Sequence, residues 1–255
     1  MMSASLLALL LSGTPAALPW GPMTEIERKA KVARLSREEI ETALRNTPSE
    51  LLLNLSAQAI LALGPYQYIM VKQERINGTL QGEQTIRTTI QEEPNAIRLE
   101  YLKGPAAGRK LIYNSTVKKK EFRVREAGFL SIVGKLWIPI DSELTKADSN
   151  HTVAEAGLGS LVRRLQLDQK RAGATLSVEH EGWNAQGYFC SMYVLPNGGK
   201  GFDNAKTRVC TDPQAGVPMK IEGFDAAGGL IERYAFSELK AVTLERDTFD
   251  PETGL

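Results

Sequence analysis

The chain carries two histidines, His151 and His180, and two cysteines, Cys190 and Cys210. The histidines are far apart and neither stands at metal-ligand spacing. No HExxH, no HxH and no Cys/His cluster occurs. A structural or surface role is expected for both, with no metal and no other cofactor. Gly157-Leu158-Gly159-Ser160 is not a nucleophile elbow, and there is no dinucleotide or Walker-type phosphate loop. The paired carboxylates Glu92 and Glu93 fall in a turn and read as solvated. One sequence does not exclude a dispersed Ser/His/Asp site, but no motif points to one. The chain therefore reads as a non-enzyme. Glu74-Arg75 is the most informative charged pair. It puts a carboxylate and a guanidinium on opposite faces of an otherwise apolar strand, close to Asn77-Gly78. Two readings stand: a charged strand end, or a charged anchor at the rim of a pocket.

The cysteines support a sharper expectation. They flank Pro196-Asn197-Gly198-Gly199-Lys200-Gly201, between two segments that read as strands. A hairpin folded at residue 200 brings them opposite one another, and a cross-strand bridge needs Cα atoms within about 7 Å. A disulfide there implies an oxidising compartment. The pair is not a CxxC, so thioredoxin-like redox chemistry and a Cys-based zinc site are poorly supported.

The composition is globular: 42% apolar and 24% charged residues in 255, with a net charge of +1. A nucleic-acid partner would call for a strong basic excess or stripe, which this balance lacks. Lys118-Lys119-Lys120 is followed by Glu121 and reads as a solvated strand or turn. Residues 1–20 carry no charge, with an apolar run at 6–11 and small residues at 12–17. This is the pattern of a cleaved Sec-type signal ending near Ala16 or Ala17. It is too short to span a membrane. No Lys or Arg precedes Leu6, which a start upstream of Met1 would explain, and no Cys follows to carry a lipid anchor. The expectation is a periplasmic or secreted protein without an integral membrane segment. It divides into a signal at 1–17, a charged helical segment at 18–46 and a single domain at 47–255.

The elements that must position any site are mostly strands. Residues 24–46 read as one charged helix with a loose apolar stripe. Thr47-Pro48-Ser49-Glu50 reads as a capped start for an apolar helix that ends at Gly64-Pro65. Strands follow at 66–76, 83–91, 97–103, 109–113 and 121–126, with a strand or buried loop at 129–140. Asn77-Gly78 is a hairpin signal. A helix at 151–167 contains Gly157 and Gly159, small enough for close backbone packing. Strands resume at 174–179, 187–195, 205–211, 218–224, 230–236 and 240–245. The class is α+β, mainly β, with about eleven antiparallel strands. In the first strand Tyr68 and Met70 point one way while Ile69 and Val71 point the other. Two apolar faces mean a sheet covered on both sides or one curved about a cavity.

Three motifs carry a family resemblance. They are Lys72-Gln73-Glu74-Arg75 with Gly78, Tyr101-Leu102-Lys103-Gly104-Pro105 with Gly108-Arg109-Lys110, and Glu155-Ala156-Gly157-Leu158-Gly159. Together they resemble an uncharacterised exported bacterial domain-of-unknown-function family, over about residues 51–251. That family is in turn similar to the lipoprotein carriers LolA and LolB and the regulator RseB. The resemblance implies a curved antiparallel half-barrel with helices packed in its concave face and an apolar cavity within. It implies a periplasmic carrier of a lipid, an acyl chain or a lipoprotein, or alternatively an envelope sensor that binds a protein partner. Expected cavity residues are Leu52, Leu55, Tyr68, Met70, Ile86, Leu99, Tyr101, Ile112, Phe122 and Leu158, with Glu74 and Arg75 at the rim.

Overall fold

A computed structural model describes residues 18, 20, 23–147 and 149–255. The expected signal segment, 1–17, lies outside the described residues. One antiparallel sheet dominates, curved like a half-barrel and open at both edges. Its first meander runs through β1 (Tyr66–Ile76), the two-residue β2 (Thr79–Leu80), β3 (Gln84–Gln91), β4 (Ala96–Lys103), β5 (Lys110–Asn114), β6 (Glu121–Arg125) and β7 (Lys135–Pro139). The second runs through β8 (Ser177–Trp183), β9 (Phe189–Val194), β10 (Lys206–Asp212), β11 (Val217–Phe224) and β12 (Leu230–Ala241). The two meanders meet at the β1–β12 pair, and β7 and β8 form the free edges. Asn77 and Gly78 both take positive φ, as a tight hairpin turn demands.

The helices are α1 (Glu25–Val32), α2 (Arg37–Asn46), α3 (Ser49–Leu61), the one-turn α4 (Glu143–Lys146) and α5 (Leu158–Ala172). None of the described helices is long and apolar enough to cross a membrane. The single helix expected at 24–46 is two. Ser36 breaks it by forming a capping box with Glu39, the serine hydroxyl accepting from the Glu39 N–H at 3.1 Å and the Glu39 carboxylate accepting from the Ser36 N–H at 2.7 Å. Thr47 does not cap α3. Its hydroxyl instead donates to the Ala43 carbonyl at the end of α2, and Pro48 takes the N-cap position of α3. The stretch expected at 129–140 is a 3-10 turn (Gly128–Val133) followed by β7. Residues 151–157 precede the second long helix as a loop with one 3-10 turn. The two last expected strands are one, β12.

The concave face holds the core. There α3 and α5 pack together over β11, burying Ile60, Leu158, Val162, Val217 and Ile221. At the β9 side α1 and α2 add a second cluster of Val32, Ile40, Leu44 and Phe189. The charged N-terminal segment is thus half-embedded. The Trp20 indole N–H donates to the Pro213 carbonyl. The buried Arg28 guanidinium donates to Ala215 and Met23 carbonyls, although burial pulls its pKa down. The cysteines stand directly opposite one another on β9 and β10 and form the expected disulfide, with Cα atoms 4.0 Å apart.

Candidate functional site

The concave side chains of the first meander face a hollow that α5 borders on one side. It has a volume of about 360 Å³. Cross-strand register lines its wall with rows: Met70 beside Ile86 beside Tyr101, and Leu99 beside Leu111 beside Val124. Phe122, Ile138 and Phe236 complete the apolar lining. The strap from β7 to α5, described over residues 140–147 and 149–157, closes over it and contributes Thr145, Ala147, Ser149, His151, Val153 and Ala156. Arg109 and Glu126 pair at 2.9 Å on another part of the wall.

One end of the hollow is polar. The β1–β12 register sets Glu74 directly opposite Glu232, with Lys72 opposite Tyr234. Like charges opposite one another are unfavourable in a sheet, and both carboxylates are buried. Each therefore needs compensation. Glu74 accepts from the Lys72 ammonium at 3.1 Å, the Ser149 hydroxyl at 3.2 Å, the Asn150 N–H at 3.2 Å and the Tyr234 phenol. Glu232 accepts from Asn204 at 2.9 Å, Arg164 at 3.3 Å and Tyr234 at 3.1 Å. His151 Nε2 lies 2.6 Å from Glu232, and its Nδ1 lies 2.7 Å from the Arg164 guanidinium. The same guanidinium nitrogen also lies 2.5 Å from Nε2, so the ring sits between Arg164 and the Glu232 carboxylate. Ser149, Asn150 and His151 belong to the strap, so this network is a latch that ties the strap to the two central strands.

The electrostatics follow from these contacts. Burial pushes the Glu232 pKa up, but the hydrogen bond from His151, with Arg164 and Asn204, outweighs it and holds the group at about 2. Burial, reinforced by Glu232 and Glu74, raises the Tyr234 phenol well above its ordinary value. It stays protonated and keeps donating. Glu74, His151 and Glu232 bring ligand atoms within 4.8 Å of one another, a donor set that suits a divalent cation. Yet seven groups already surround the two carboxylates, with the single Tyr234 hydroxyl shared between them, and two of the seven are cations. The residues are configured as a latch.

The strap's other end is held by backbone contacts. The Tyr68 hydroxyl donates to the Ala156 carbonyl at 2.5 Å, and Asn95 donates to Ala154 at 2.9 Å. Glu92 is not merely solvated. It accepts from the Tyr66 hydroxyl and from the Gly159 N–H at 2.9 Å, placing a carboxylate at the N-terminus of α5. A Cβ on Gly159 would fall 2.6 Å from Glu92 Oε2, so glycine permits this approach.

Of the residues expected from sequence, Met70, Ile86, Leu99, Tyr101 and Phe122 line the hollow, with Glu74 at its polar end. The others lie elsewhere. Tyr68 is buried alongside, its hydroxyl engaged with the strap. Leu158 is buried in the core at the start of α5, its N–H donating to Tyr66. Leu52 and Leu55 pack toward the N-terminal cluster. Ile112 is on the opposite face, in register with Arg98 and Arg123, beside the Gly254 backbone. Arg75 turns away from the hollow and donates to the Leu230 and Gly78 carbonyls, both at 2.9 Å. Sequence reasoning missed Leu111, Val124, Ile138 and Phe236, and every member of the latch except Glu74. The alternation Phe122-x-Val124 was a usable signal for one of them.

Fold and site define a class: an open, curved antiparallel sheet that encloses an apolar hollow beneath a latched strap. Residues 64–254 match the family described as Protein of unknown function (DUF1571), and the chain belongs to it. No curated protein matches the chain. Among solved structures, an uncharacterized conserved protein from Thermus thermophilus is 13% identical with a TM-score of 0.47, covering 79% of this chain and 91% of that one. The MucA/MucB complex of Pseudomonas aeruginosa matches at 14% identity and a TM-score of 0.45, covering 79% and 60%. The Mycobacterium tuberculosis lipoprotein LppX matches at 10% identity and 0.44, covering 77% and 99%.

Proposed function

We propose that the chain is an exported, non-enzymatic binding protein that carries a hydrophobic ligand in the hollow: a lipid, an acyl chain or the lipid of a lipoprotein. One observation carries this reading. A space of about 360 Å³, walled by Met70, Ile86, Leu99, Leu111, Phe122 and Phe236, lies under the strap. That is within the range of small-molecule sites, roughly 300–1,000 Å³. Burying hydrocarbon there is worth roughly 0.8 kcal/mol per methylene, so an acyl chain is held without any polar motif. The disulfide suits an oxidising compartment, in keeping with export to the periplasm. Native mass spectrometry of the purified protein, followed by lipid extraction, tests the reading. Expected are adducts that extract as lipid. Protein that carries no lipid and takes none up from mixed vesicles would end it.

The alternative, a sensor that binds an envelope protein, is favoured by the apolar edge at β7. Ile132 is 77% and Val133 61% exposed just before that free strand. Photo-cross-links to a single protein from Ile132, absent from an exposed control position such as Glu179, would support it.

A further inference from the structure

We infer that the hollow selects a single-chain amphiphile whose head is an uncharged acyl carbonyl, an ester or amide, held by Ser160 and Arg164. This rests on the reading that the hollow binds hydrocarbon, and it adds which polar group enters with the chain.

The latch end is already charge-balanced. Lys72 faces Glu74 at 3.1 Å and Arg164 faces Glu232 at 3.3 Å. Both carboxylates are already held by neighbouring donors, with the Tyr234 hydroxyl shared between them. His151 lies between Glu232 and Arg164, its Nε2 against the carboxylate and both ring nitrogens against the guanidinium. At the latch end an ionic head, of either sign, would enter with no uncompensated partner charge to meet it; the carboxylate of Glu155, which accepts from Thr152, borders the hollow at the strap's other end. Removing such a charge from water is strongly unfavourable.

Hydrogen-bonding capacity does remain. Among the described polar side chains that line the hollow, Ser160 is the one with no hydrogen-bond or ion-pair partner. Arg164 directs its two terminal nitrogens at His151 and Glu232, and its Nε–H has no partner among the described residues. Ser160 and Arg164 are four residues apart on α5, so they project from one face on successive turns. Both border the hollow. A carbonyl oxygen has two lone pairs and can accept from both donors. An ester or amide carbonyl supplies that acceptor without charge. A carboxylate supplies the same lone pairs and upsets the balance.

The test compares three probes of one chain length and different heads: monopalmitoylglycerol, palmitate and hexadecylamine. Equilibrium dialysis against the whole purified protein, at neutral pH and below micelle concentrations, reads their affinities. The ester should bind at least about tenfold more tightly than either ion, a difference of about 1.4 kcal/mol. Ser160→Ala should weaken the ester roughly three- to tenfold, the range expected for one lost hydrogen bond, and leave hexadecylamine unchanged. A melting temperature equal to that of the wild type establishes that the variant is folded. Palmitate or hexadecylamine binding as tightly as the ester overturns the head assignment while hydrocarbon binding stands. Unchanged ester affinity in Ser160→Ala also overturns it. If none of the three binds, the binder reading itself falls.

Discussion

The two halves of the sheet use one concave surface in opposite ways. Over β9–β11 it is covered by helix. Tyr193, Val209, Met219 and Ile221 are buried with residues of α3 and α5, and a second helical cluster extends the packing around Phe189. Over β3–β7 the equivalent surface faces the hollow and a strap of mainly irregular structure. The filled half is held by hydrophobic burial, which is non-directional and proportional to area. The hollow half is closed by a polar network, whose parts depend on one another's geometry. Stability and access are thereby assigned to different regions, so each can be disturbed without the other.

The largest expected contrast is in truncation. Ile60 on α3 is fully buried, and Ile60→Ala should cost about 2–5 kcal/mol by leaving a cavity in a packed core. Ile138 borders the hollow on the edge strand β7 and is half-buried. Ile138→Ala enlarges a space already present and should cost under about 1 kcal/mol. Urea denaturation of both variants measures the difference. Equal losses would mean that the strap seals a packed core instead of a hollow.

Acid should separate the halves next. The Glu232 pKa is about 2 in the folded chain against an ordinary value of 4.5. A depressed carboxyl contributes stability that is complete above its unfolded pKa and is lost as pH falls through the folded one. The latch should therefore weaken between about pH 4.5 and 2. Amide exchange of the strap, corrected for the intrinsic rate, should rise in that window before exchange of α3 does. Glu232→Gln removes the titration, so its strap should exchange faster at neutral pH and lack a step there. Simultaneous exposure of strap and α3 in the wild type would deny that the halves are separable.

This division also explains what could be read from the chain. The bounds of β1, the Asn77-Gly78 turn and the pairing of Cys190 with Cys210 follow from local alternation and punctuation. The break at Ser36 was legible too, since Ser-x-x-Glu is a capping signal, but the continuous charge pattern around it favoured one helix. In β5 three apolar residues are consecutive, Leu111, Ile112 and Tyr113. Periodicity cannot say which parity faces inward. The answer came from the partner strand, where Arg98 shares a face with Ile112 and Leu99 with Leu111. The latch had one local hint, the charged Glu74-Arg75 pair in an otherwise apolar strand, and nothing that named its partners. Glu74 and Glu232 are brought together by pairing between the first and last strands, and His151 and Arg164 reach them from the connection between the meanders. Glu92 looked solvated because its partners, Tyr66 and Gly159, are distant in sequence.

The smallest expected effect sharpens the comparison most. Ser149 supplies one of the four bonds to Glu74, at 3.2 Å, and supports its own strap by accepting from the His151 N–H at 3.3 Å. Ser149→Ala leaves Lys72, Asn150 and Tyr234 in place around the carboxylate, so the charge stays compensated. Loss of one such bond is worth about 1 kcal/mol, roughly a fivefold change in an opening equilibrium. That change should fall on the strap alone. Its amide exchange should quicken about fivefold, while the urea midpoint stays within error of the wild type. The hydrogen bonds of Ser149 go to Glu74, Thr145 and His151, none of them in the filled half, so that half registers the change only if closure and core packing are coupled. A midpoint shift as large as the exchange change would reveal that coupling and would merge the two halves into one cooperative unit.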